Sequence, residues 1–143
     1  MKKTSILCLM VMAFGLMAWA GAEMQSQGLP WKNLKAPGNK NRIDDSTYFI
    51  YKPSEKPKLG TIILVIQVFN KSGAKDASFV IKGQYGMPSM PGAHDSGLQA
   101  FSLNKAGNYL LPINVVMPGE WEVKLTFSKG NKTVYRGRAK FNV

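Results

Sequence analysis

One segment of the chain gathers residue types that can do chemistry. Gly86-Met87-Pro88-Ser89-Met90-Pro91-Gly92-Ala93-His94 places two methionines three residues apart, with the only histidine of the chain four residues further on. A thioether sulfur is a soft, neutral donor that favours Cu(I), and imidazole suits copper in either oxidation state. Met117, just before Pro118-Gly119, is the candidate fourth donor. The same residues also have ordinary uses. Methionine fills irregular apolar gaps, Pro and Gly shape turns, and Met117 shares the parity of Leu111, Ile113 and Val115, which suits core packing.

Other chemistries find little in the sequence. The single cysteine, Cys8, lies in the leader described below, which leaves no thiol for a Cys-His pair, a zinc site or a disulfide. His94-Asp95-Ser96 has the residue types of a catalytic triad, but consecutive residues do not build the relay of nucleophile, base and orienter. Glu120 and Glu122 share one strand face with Arg138 and Lys140 opposite, which suits ion pairing better than paired-carboxylate catalysis. The expectation is therefore a protein that is not an enzyme.

The elements that must carry the Met/His segment are strands. From Thr47 onward apolar residues alternate with polar ones, broken by turn residues. Strands are predicted over 48–51, 61–69, 76–85, 98–103, 109–117, 121–128 and 133–143. About seven short strands with frequent turns predict an all-β, immunoglobulin-like antiparallel β-sandwich, without the Cys and Trp framework of antibody domains. Its Gly and Pro content makes the segment at 86–97 a loop held by that sandwich, where binding residues are often placed. For the last hairpin, a turn centred on Gly130 predicts Glu122 opposite Arg138, Glu120 opposite Lys140 and Lys124 opposite Arg136.

Ahead of the strands, Met1-Lys2-Lys3, an apolar run from Ile6 to Trp19 and Ala18-Trp19-Ala20 follow the pattern of a secretory signal. The run is shorter than the roughly 20 residues that span a bilayer. The predicted organisation is a signal peptide over 1–22, a flexible N-terminal segment over 23–46 whose Trp31 docks onto the folded part, and the sandwich over 47–143. Loss of the leader removes Cys8 and leaves Met24, Met87, Met90 and Met117 of the eight methionines. It also leaves 17 Lys and Arg against 8 Asp and Glu, a charge of +9. An exported, basic chain with no integral membrane segment after cleavage suits weak contact with an anionic surface. Nothing interleaves aromatics with its cations as a nucleic-acid platform does.

A Val/Ile-rich strand, Met87-Pro88-Ser89-Met90 with His94, Gly107-Asn108-Tyr109 and Met117-Pro118-Gly119-Glu120-Trp121 occur here in a familiar order. Over residues 58–143 the chain resembles the YtkA-like domain, which is similar to the periplasmic part of FixH proteins. The resemblance implies a small β-sandwich outside the cytoplasm and, through FixH, a link to copper handling and cytochrome oxidase assembly. It also implies that Met87, Met90 and His94 are the family's Met/His loop and that Gly119 and Trp121 are its structural turn. Unlike FixH, this chain has no retained anchor in the reading above. Two functions follow as expectations. The first is a periplasmic or secreted protein that binds or delivers Cu(I), with a copper acceptor as partner. The alternative is a non-metal envelope interaction module that uses loop 86–97 or the basic strand face.

Overall fold

The computed structural model describes residues 28–143, so the signal peptide and the start of the N-terminal segment lie outside the described residues. The described chain has no helix. Its strands are β1 Lys32–Asn33, β2 Asn41–Arg42, β3 Thr47–Pro53, β4 Gly60–Asn70, β5 Val80–Gly86, β6 Gln99–Ala100, β7 Ser102–Leu103, β8 Tyr109–Val115, β9 Glu120–Lys129 and β10 Lys132–Asn142. They form two five-stranded sheets, ordered β1-β10-β9-β5-β6 and β2-β3-β4-β8-β7. All pairings are antiparallel except β1 with β10. The architecture is the predicted β-sandwich.

Alternation in the strands decides which residues enter the core. Ile62, Leu64, Ile66 and Val68 of β4 are buried, as are Trp121, Val123, Leu125 and Phe127 of β9, while their neighbours point outward. The two sheets meet through aromatic rings: Phe49 lies 4.5 Å from Phe127 between centroids, and Tyr135 packs edge-on against both. Polar links also join the sheets. The Tyr109 hydroxyl donates to the Phe79 carbonyl at 2.9 Å and accepts from the Phe79 N–H at 3.2 Å, both buried.

Three departures from the sequence reading have physical causes. The predicted strand 98–103 divides into β6 in one sheet and β7 in the other, because Phe101 between them turns into the core. Gly83 of β5 makes room for it, since a Cβ there would stand 2.9 Å from the Phe101 ring. The stretch 28–46, predicted to be flexible, supplies β1 and β2. Asn41, almost fully buried, accepts from the Lys35 N–H and donates to the Asn39 carbonyl, and Tyr51 donates to the Lys35 carbonyl at 2.7 Å.

The third departure is the hairpin register. The turn comprises Gly130 and Asn131, and a bulge between Thr133 and Tyr135 adds one more residue to β10. Glu122 therefore faces Lys140, Lys124 faces Arg138 and Arg136 faces Thr126. The offset from the predicted pairing is two residues, so every side chain keeps its predicted face. Lys140 still reaches Glu120 diagonally at 2.8 Å.

Candidate functional site

The loop from Met87 to Leu98 joins β5 to β6 and folds back over the end of β5. Two successive turns shape it, with the Met90 N–H donating to the Met87 carbonyl at 3.0 Å and the Ala93 N–H to the Met90 carbonyl at 3.2 Å. Its far end is stapled to β5. The Ser96 N–H donates to the Tyr85 carbonyl, and the Ser96 hydroxyl accepts from the Tyr85 N–H, each at 2.9 Å. The Gln84 amide donates to both oxygens of Asp95, at 2.8 and 2.7 Å, and the Gly97 N–H donates to one of them. The Gln84 hydrogen bond, then the Gly97 N–H, hold the Asp95 carboxyl below its ordinary pKa of 3.8. A charged carboxylate thus stands at the loop's base at neutral pH.

Between this loop and the outer face of β5 and β9 lies a cleft of about 330 Å³, lined by Met87, Met90, Gln84, Asp95, Glu122 and Lys124, among others. The two methionines differ in exposure. Met87 is 6% exposed and belongs to the core, whereas Met90 is 40% exposed. The Met87 methyl packs onto Gly119, where a Cβ would come within 2.8 Å of it. Gly119 itself is fixed to the chain's last residue by two backbone hydrogen bonds with Val143, at 2.9 and 3.1 Å.

Trp121 gathers the remaining candidates. Its ring lies 6.2 Å from the His94 ring and 6.4 Å from the Tyr85 ring, and its indole N–H donates to the Met117 carbonyl at 3.1 Å. Met117 lies beyond the end of β8, in the turn to β9, and its half-buried side chain packs against the core. Met87 and Met90 thus share the cleft, while His94 and Met117 are placed by Trp121 and do not line it. Met87 also approaches the second grouping through Gly119, two residues before Trp121.

The donor set fits a soft monovalent metal better than a hard one. Among the described residues no three His, Cys, Asp or Glu side chains are grouped to hold a metal ion, whereas the thioethers of Met87 and Met90 are soft donors of the kind Cu(I) takes. Glu122, Lys124 and Gln84 were not picked out as cleft residues in the sequence. Their strand parity, which points them outward beside the loop, is the signal that would have found them.

The chain matches no protein-family model and no curated protein, so the resemblance to the YtkA-like domain rests on the motifs quoted above.

Proposed function

We propose that the protein binds Cu(I) outside the cytoplasm and passes it to an acceptor protein, with Met87, Met90 and His94 as donors and Met117 available as a fourth. The observation that carries this reading is the shared cleft of Met87 and Met90, one thioether buried against Gly119 and the other open to solvent. A buried donor is held by packing, and an exposed one remains within reach of an incoming partner. Neutral thioether and imidazole ligands stabilise Cu(I) without a thiol, which an oxidising compartment would convert to a disulfide. His94 is the nitrogen donor of this reading and, since it stands against Trp121 outside the cleft lining, it has to turn toward the cleft to bind.

The test is a titration of the exported protein with Cu(I) against a competing chelator. Leucine replaces methionine at nearly constant volume, so Met87→Leu and Met90→Leu remove the sulfurs at a stability cost below about 1.5 kcal/mol each. The double variant is expected to lose more affinity than the roughly 10- to 100-fold that an outer-shell partner contributes. Unchanged Cu(I) affinity in the folded double variant refutes the proposal.

A further inference from the structure

The outer face of the β10-β9-β5 sheet carries a cluster of cations that ion pairing within the fold does not explain. Cross-strand register sets Arg136, Thr126 and Lys82 in one row and Arg138, Lys124 and Gln84 in the next. Adjacent strands lie about 4.8 Å apart, so four cations occupy two neighbouring rows. Arg138 and Lys124 stand directly opposite one another, an arrangement that like charges make unfavourable. The face's carboxylates, Glu120, Glu122 and Asp95, lie toward one end: Glu120 pairs with Lys140 at 2.8 Å, Glu122 with Lys124 at 3.5 Å, and Asp95, held by Gln84, also attracts Lys124. Among the described residues Arg136 and Arg138 have no carboxylate partner. Arg138 donates to the Asn33 side chain, Arg136 makes only a 3.5 Å contact to the Leu29 carbonyl, and the Arg136 Nε is buried with no acceptor.

Apolar side chains are added to this charge at one place. The segment Leu29-Pro30-Trp31 crosses the cationic face, with the Arg136 guanidinium 4.7 Å and the Lys124 ammonium 6.0 Å from the Trp31 ring centroid. Leu29 nevertheless remains 41% exposed and Trp31 36% exposed. Val80, on β5 at the end of the face away from the glutamates, is 50% exposed. An aromatic ring and a leucine presented from a bed of cations, of which Arg136, Arg138 and Lys82 have no carboxylate partner among the described residues, match the two layers of an anionic bilayer surface. The cations meet lipid phosphates, and the apolar side chains enter the boundary between headgroup and acyl chain.

We infer that this face is a peripheral docking surface for an anionic lipid bilayer, with Arg136, Arg138, Lys124 and Lys82 meeting headgroups and Trp31 and Leu29 inserting. A soluble acidic polysaccharide would use the cations and the ring but would leave the exposed Leu29 without a role. The surface does not depend on the Met/His loop, and its test involves no metal.

The experiment measures co-sedimentation of the exported protein with vesicles of phosphatidylglycerol mixed with phosphatidylcholine and with vesicles of phosphatidylcholine alone. Binding is expected to the mixed vesicles only and to fall as salt rises. Arg136→Gln with Arg138→Gln should weaken it about thirtyfold, from the attraction of two cations to an anionic leaflet. Trp31 emission should be quenched by brominated lipid, and Trp31→Ala should remove that quenching. Lys82→Gln, at an exposed position on β5, which β9 separates from the arginines of β10, gives a second reading of the charge effect if the double arginine variant does not fold. Equal binding to both vesicle types, binding unaffected by the charge variants, or an unquenched Trp31 overturns the inference. So does retention on an acidic polysaccharide by protein that leaves the vesicles unbound.

Discussion

Replacing Gly119 by alanine tests the joint on which the candidate site rests. Gly119 has φ +134°, a conformation that L side chains rarely adopt, and its N–H and carbonyl are both committed to Val143. The backbone cannot relax to negative φ without giving up those two hydrogen bonds, so the strained conformation persists, at a cost of about 1–3 kcal/mol. The new Cβ also meets the Met87 methyl at 2.8 Å. That methyl ends a flexible side chain, and moving it off its preferred rotamer adds about 0.5–1.5 kcal/mol. The expected total is about 1.5–4.5 kcal/mol, read as a lowered urea midpoint at unchanged slope. At roughly 4 °C per kcal/mol for a domain of this size, the melting temperature falls by about 6–18 °C. A double-mutant cycle separates the two parts. In a Met87→Ala background the steric part vanishes and the backbone part remains, so Gly119→Ala should cost about 0.5–1.5 kcal/mol less there. Gly119→Ala within about 0.5 kcal/mol of the parent would falsify the account of the turn. An equal cost in both backgrounds would remove Met87 from it.

Tyr109→Phe deletes the hydroxyl that serves both the N–H and the carbonyl of Phe79 in a buried setting, and it should destabilise by about 1–3 kcal/mol in urea titration. A neutral effect would mean that these groups find other partners. Stability should also fall at both extremes of pH. The backbone N–H of Ser46 on Asp44, the Ser78 hydroxyl on Asp76 and the Gln84 amide on Asp95 hold these carboxyls below 3.8. When pH falls the unfolded chain takes up protons first, so their contribution is complete above about 3.8 and is lost as pH passes through the lower folded values. Burial raises Tyr51, Tyr109 and Tyr135 above 10.0, so the unfolded chain ionises first as pH rises past 10 and stability declines again. Urea midpoints measured across pH check both limbs, and stability that increased on acidification below pH 4 would contradict the first.

The strands were legible because a two-residue period carries its own evidence. Trp121, Val123, Leu125 and Phe127 alternate with polar residues in the sequence and are buried in the structure. The docking of Trp31 onto the folded part was also legible, though its seat on Arg136 was not. Pairing of β9 with β10 was misread by two residues, since a bulge leaves side-chain parity intact and so leaves no trace in the hydrophobic pattern. The stretch 28–46 has too few apolar residues to signal order. β1 depends on β10, more than 100 residues away, and Lys35 beside it on Tyr51, 16 residues away, so only β2, which pairs with Tyr48 and Phe49, has a local partner.

At the candidate site the division is sharper. The sequence by itself determined that Met87, Met90 and His94 share one loop between strands and, given the leader it predicts, that the chain beyond it carries thioethers and one imidazole but no thiol. Composition and local spacing are sufficient for that, because the loop's Gly and Pro residues exclude a ladder strand. Only the tertiary structure decided that Met87 is a core residue while Met90 is open, that His94 leans on Trp121, and that the cleft wall includes Glu122 and Lys124. Those placements follow from contacts between residues distant in the chain. Gly119 lies 32 positions after Met87, and it gives Met87 a buried seat because it has no side chain of its own.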